Sequence, residues 1–165
     1  MKMKVKRKIL SITIHHKLDE CPDLSFLGEY SSKRARFSFD RKVLGDWNRN
    51  EYEYFNPYQN PFNGKTQAEK KEICKYAKQD YERYESYNNQ HWHMIGILAE
   101  AKIQVSDIIQ RITSGGLWGI ESDSNKEYIN QVESEELSAL SHELEALGFK
   151  RKQILKAQEN IQRPD

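Results

Sequence analysis

The sequence predicts an α+β fold, a small antiparallel sheet packed against a tyrosine-rich helix and an acidic C-terminal helix. Three observations predict it. His91, His93, Ile95, Ile97, Ala99, Ala101, Ile103 and Val105 share one side of a sustained period-two pattern, the mark of a strand with one buried face. From Thr66 to about Tyr87, the residues Ile73, Tyr76, Ala77, Tyr81, Tyr84 and Tyr87 recur every three or four positions, as on a helix with one apolar stripe. Beyond Ser124, Tyr128, Ile129, Val132, Leu137, Leu140, Leu144 and Leu147 do the same.

The elements follow in order. A first strand is expected from Lys6 to His16, with Leu10, Ile12 and Ile14 on the core side. Asp19 to Asp23 reads as a turn, Ser25 to Glu29 as a short extended piece, and Arg36 to Asp40 as a strand with Phe37 and Phe39 on one face. Val43 to Lys65 is irregular, because Gly45, Asn48, Asn50, Asn56, Pro57, Pro61 and Gly64 are turn formers. Within it, Glu51 to Phe55 alternates as an edge strand bounded by proline, with Tyr52 and Tyr54 together. Thr66 and Glu69 form a capping box for the tyrosine-rich helix.

After the central strand, Ser106-Asp107 turns the chain and Ile108 to Ile120 returns beside it, bent or bulged at Gly115, Gly116 and Gly119. Ser124 and Glu127 are the expected capping box of the acidic helix, with a break at Ser134. Gly148 is a left-handed cap and Phe149 folds back on the last turn. Residues 1–149 are expected to form a single α+β domain, since domains cluster at about 100–150 residues. Residues 150–165 are a basic tail, helix-compatible around Ile154 and Leu155 and extending outward.

Composition narrows the function classes. Apolar residues are 37%, charged 31% and aromatic 11%, polar for a globular chain yet too aromatic for a disordered one. Cys21 and Cys74 lack any C-x-x-C spacing, so they form neither a disulfide framework nor a zinc knuckle; each is expected as a buried or half-buried thiol. No apolar run approaches the roughly 20 residues of a membrane span. The basic start leads into strand-like alternation and not into a signal-peptide core. The expectation is a cytoplasmic protein without a membrane partner. Net charge is +1 but uneven, with Lys2, Lys4, Lys6, Arg7 and Lys8 at one end, Lys150, Arg151, Lys152 and Lys156 at the other, and an acidic stretch between Glu121 and Glu145.

The segment Ser114-Gly115-Gly116-Leu117-Trp118-Gly119-Ile120-Glu121-Ser122-Asp123-Ser124 resembles small uncharacterised proteins of bacteriophages, plasmids and other mobile elements. The resemblance includes Leu24 to Tyr30, Tyr54 to Pro57, Gln79 to Arg83 and Leu144 to Phe149, and so covers most of Asp23 to Phe149. The glycine-tryptophan segment is its specific part. It implies a mobile-element setting, in which proteins that block host defence are frequent. It implies no activity, cofactor or catalytic residue.

His91 and His93 point to one side of a strand and form the weak metal candidate, with His15, His16 or Cys21 as a third ligand; the ligand spacing of known sites is missing. Ser114-Gly115-Gly116 is not a phosphate loop, because no lysine follows at the required place and no helix begins there. Trp118 reads as a ring packed over bare backbone, or, if exposed, as a docking point. Glu133, Glu135, Glu136 and Glu143 give the acidic helix a face for a basic partner. Lys4, Lys6, Arg7 and Lys8, with Tyr52 and Tyr54, form the aromatic-basic set that single-stranded nucleic acid requires.

The expected function is therefore a mobile-element accessory protein, non-enzymatic and without a cofactor, that binds a host protein through Trp118 and the acidic helix. Nucleic-acid binding is the alternative, and a metal-dependent enzyme at His91 and His93 stands last. A homodimer through the edge strand or the acidic helix is compatible with the sequence.

Overall fold

The computed structural model describes residues 6–35, 38–40, 52–58 and 66–163. Their elements are β1 (Arg7–Leu18), β2 (Glu29–Ser31), β3 (Phe39–Asp40), β4 (Tyr54–Asn56), α1 (Gln67–Asn88), β5 (Met94–Val105), β6 (Ile108–Thr113), β7 (Leu117–Glu121), α2 (Lys126–Ala146) and α3 (Arg151–Gln158). The fold is α+β, and its chain contacts divide it into two compact units. One comprises Met1–Cys21 with His93–Asp165, the other Pro22–Trp92.

In the first unit β5 is the central strand of a four-stranded antiparallel sheet. β1 pairs along its whole length on one side, while β6 and β7 share the other. The alternation read from the sequence places Ile95, Ile97, Ala99, Ala101 and Ile103 on one face, all buried. Val132, Leu140 and Leu144 of α2, with Phe149 from the α2–α3 turn and Ile154 of α3, close that face. Ala99 and Ala101 let α2 approach the strand closely, and the isoleucines on either side supply the apolar area whose removal from water drives the packing.

Four local expectations are corrected here. In β1 the register shifts between Ile9 and Ser11; one extra residue inverts the alternation upstream, so Ile9 packs on the core and Leu10 is exposed. The cap of α2 is Asn125, whose side chain accepts from the Tyr128 amide at 2.7 Å, and not Ser124. The helix runs unbroken through Ser134. Residues 150–163 do not extend outward: Ile154 is buried, and Gln162 bridges β1 in parallel, its carbonyl accepting from the Ile14 amide at 2.8 Å and its amide donating to the Ile12 carbonyl at 3.1 Å.

Other readings hold. Ser106 turns the hairpin with φ 54° and Gly148 caps α2 with φ 84°, leaving Phe149 buried against the core. The return segment expected from Ile108 to Ile120 is two strands, because β6 stops at Thr113 and Gly116, at φ 79°, redirects the chain.

The second unit has its own core. β2, β4 and β3 form a three-stranded antiparallel sheet, on which Phe55 is fully buried. The capping box of α1 is present, Thr66 Oγ1 accepting from the Glu69 amide. The helix sets Tyr81 edge-on to Phe55 at 5.3 Å and Tyr84 edge-on to Tyr30 at 4.8 Å, geometries that aromatic quadrupoles favour. Tyr30 donates from Oη to Glu85. Residues 25–27 form a turn where a short extended piece was expected. Phe37, Lys4 and Glu51 lie outside the described residues.

Candidate functional site

The sequence-derived candidates fall at several places on the molecule. β6 is exposed along nearly its whole length, including Ile108 and Ile109 at 61% and 57%. Its outer side bears no strand among the described residues. Which of its backbone groups face outward follows from one residue. The Ser114 amide donates to the Ala99 carbonyl at 2.9 Å, and Ser114 Oγ accepts from the Ala99 amide at 2.9 Å. Pairs alternate between bonded and non-bonded along an antiparallel ladder. With the register Ala101↔Ile112, Ile103↔Gln110 and Val105↔Ile108, the bonded residues of β6 are Ile112, Gln110 and Ile108. The amides and carbonyls of Ile109, Arg111 and Thr113 therefore point away from the sheet, toward solvent.

The side chains on the face opposite α2 have their own pattern. Lys102 stands directly opposite Arg111, a like-charge pair that costs stability on a sheet. Arg111 also reaches Glu100 Oε1 at 3.2 Å. Lys8, opposite Gln104, lies in the next row of the same face. Arg7 is on the helix side, its guanidinium beside Gly148. His15 Nε2 is 3.9 Å from Glu100 Oε1 and has no hydrogen-bond partner among the described residues.

Trp118 is 47% exposed, and its ring lies over Gly96, where an added Cβ would overlap Cε3 and Cδ2. It is thus packed on bare backbone on one side and open on the other. The acidic helix divides. Glu133 is 6% exposed and faces inward, where Oε1 meets His16 Nε2 at 3.0 Å and Oε2 accepts from Arg163 Nε at 2.9 Å. Expected as a surface contact, it is a structural carboxylate, because the helical phase that buries Val132 turns its neighbour inward as well. Glu136 Oε2 accepts from the Gly116 amide at 3.0 Å. Glu135 and Glu143 are exposed, Glu135 bonded to Gln131 at 2.9 Å.

His91 and His93 are not strand neighbours. Gln90 takes φ 61° at the end of α1 and β5 begins only at Met94, so both histidines precede the strand and belong to different units. Both are exposed. Among the described residues no group of three or more His, Cys, Asp or Glu is placed to hold a metal ion. Cys74 is half-buried, whereas Cys21 is exposed, a correction to its expected burial. Tyr52 and Tyr54 lie in the second unit and Lys6, Arg7 and Lys8 in the first. Among the described residues no helix is long and apolar enough to cross a membrane.

One feature of the second unit escaped the sequence reading. Phe26, Pro57, Tyr58, Ile73, Tyr76, Ala77 and Asp80 line a pocket of 280 Å³. The spacing of Tyr76 and Asp80 on α1 was visible, but nothing in the sequence brings Phe26 and Tyr58 beside them.

No protein-family model matches the chain, and no curated protein or solved structure matches it either.

Proposed function

We propose that this is a mobile-element accessory protein that acts by binding a host protein, non-enzymatically, through the outer edge of β6. The observation that supports it is the row of outward-facing backbone groups at Ile109, Arg111 and Thr113 on an exposed strand flanked by Ile108 and Ile109. Such an edge is a template for one more strand.

Charge favours one occupant. Pairing with a second copy through all three outward residues would set Arg111 against Arg111, extending the repulsion already present with Lys102. An extended segment with an acidic side chain opposite Arg111 and apolar neighbours relieves it. The partner proposed is thus a host protein that donates an acidic, strand-like segment. The mobile-element setting rests on the resemblance at Ser114 to Ser124, and the cytoplasm is the proposed place of action.

Tagged protein incubated with host lysate tests this, alongside Thr113→Pro and Ile109→Lys. Proline at 113 removes an outward amide without touching the β5 ladder, and lysine at 109 is an edge-blocking residue. The expected result is a captured protein reduced about tenfold by either change, corresponding to about 1.4 kcal/mol. In the complex, hydrogen exchange slows at the amides of 109, 111 and 113. An identical captured set for all three proteins at low salt would sink the reading.

A second reading draws on Lys6, Lys8 and Lys102, exposed basic residues of the first unit. It is nucleic-acid binding, and a salt series with labelled oligonucleotides separates it by a steep salt dependence.

A further inference from the structure

The pocket of the second unit combines features that point to one class of ligand. Helix α1 brings Ile73, Tyr76, Ala77 and Asp80 to one side, at the spacing of a single helical face. Ala77 and Pro57 are buried beneath, while Phe26, Tyr58 and Tyr76 stand around the opening, all exposed. Three exposed rings around one concavity are unusual, since a chain gains by burying aromatic area. The neighbouring rings of Tyr30, Phe55, Tyr81 and Tyr84 do pack on one another.

The electrostatics are one-sided. Asp80 forms no hydrogen bond or ion pair with any described residue, and burial pushes its carboxyl above the usual range. The Tyr76 hydroxyl donates to Glu72 Oε1 at 3.1 Å; that bond and the Glu72 charge hold the phenol above its usual range, so it remains neutral. Among the described residues no lysine, arginine or histidine lines the pocket. Ring faces carry negative potential, and so does the unpaired carboxylate. A pocket of this size admits one head group and lacks its positive charge.

We propose that the pocket formed by Phe26, Tyr58, Tyr76 and Asp80 binds a single organic cation, an alkylammonium or guanidinium head group, either free or at the end of a side chain. Asp80 supplies the counter-charge and the three rings supply cation–π contact and exclude water. The site is independent of the β6 edge, so either can fail without the other.

The full chain, labelled at its Phe and Tyr rings, is titrated by NMR with tetramethylammonium chloride, N-acetyl-lysine methylamide and N-acetyl-arginine methylamide. N-acetyl-norleucine methylamide serves as the uncharged control. The expected result is saturable shifts at Phe26, Tyr58 and Tyr76 with the cations, weakened about tenfold by Asp80→Asn and about fivefold by Tyr58→Leu, the scale of such contacts. Tighter binding of the lysine or arginine derivative than of tetramethylammonium assigns the site to a protein side chain; the reverse assigns it to a free small cation. Equal binding of the norleucine derivative, or no saturable shift with any cation, overturns the proposal. Should Asp80→Asn fail to fold, Tyr58→Leu decides alone, because Tyr58 is 69% exposed and its ring is dispensable to the core.

Discussion

At Glu133 a single carboxylate ties β1, α2 and the segment after α3 together. Its two oxygens take His16 and Arg163 separately, so shortening it leaves both without this partner, the His16 side chain being the more buried of the two. Glu133→Ala is expected to lower stability by about 1–3 kcal/mol, the cost of stranding such groups, measured by urea denaturation. Asp80 acts in the opposite direction. Burial raises its carboxyl above the ordinary 3.8, so the folded protein holds the proton where the unfolded chain has released it. Stability therefore falls as pH rises through the window above 3.8. Asp80→Asn should raise the melting temperature at pH 7 and lose that advantage below the ordinary aspartate value; an equal gain at both pH values would contradict this. Gly96 offers a third check. Gly96→Ala must lift the Trp118 ring, which should redden Trp118 fluorescence and cost about 1–3 kcal/mol.

Elements were legible in the sequence where a pattern is local, and obscure where it depends on a partner. The alternation of β5 and the stripes of α1 and α2 come from single segments, and all three elements are present, although β5 starts only at Met94, after His91 and His93, and Tyr76, Tyr128 and Leu147 of the expected stripes are exposed. The bulge at Leu10 could not be read: the apolar run Ile9-Leu10 fits either phase, and only pairing with β5 selects Ile9. The cap of α2 illustrates a finer ambiguity, since Ser124 and Asn125 are both good N-caps. Asn125 holds the Tyr128 amide, so Asn125→Ala should cost about 1 kcal/mol, while Ser124→Ala should leave thermal unfolding nearly unchanged. The edge character of β6 was likewise invisible. Ile108-Ile109 look like core residues by composition, and only the sheet order shows that no strand among the described residues pairs outside them.

For the whole molecule, the α+β class was available from the chain itself, but the division into two sheets was not. The pieces of the smaller sheet are only two or three residues long, too short for periodicity to register. The candidate sites were hidden for a related reason. Glu133 meets His16 and Arg163, and Asp80 shares a pocket with Phe26 and Tyr58, through contacts between residues far apart in sequence. Deleting residues 160–165 removes the Gln162 bridge and the Arg163 bond. Calorimetry should show a loss of about 2–4 kcal/mol, from two backbone bonds and the uncovered apolar surface.

The insertion of a whole unit between β1 and β5 has a consequence for biosynthesis. On the ribosome, β1 emerges well before its partner strand, and the Gln162 clasp can form only after α3 has followed. Until then β1 has no lasting mate and an aggregation-prone border on each side. Sheet assembly must therefore proceed late and through distant contacts, which slows folding. Lys6 and Lys8, exposed at the start of β1, are well placed to keep the waiting strand solvated.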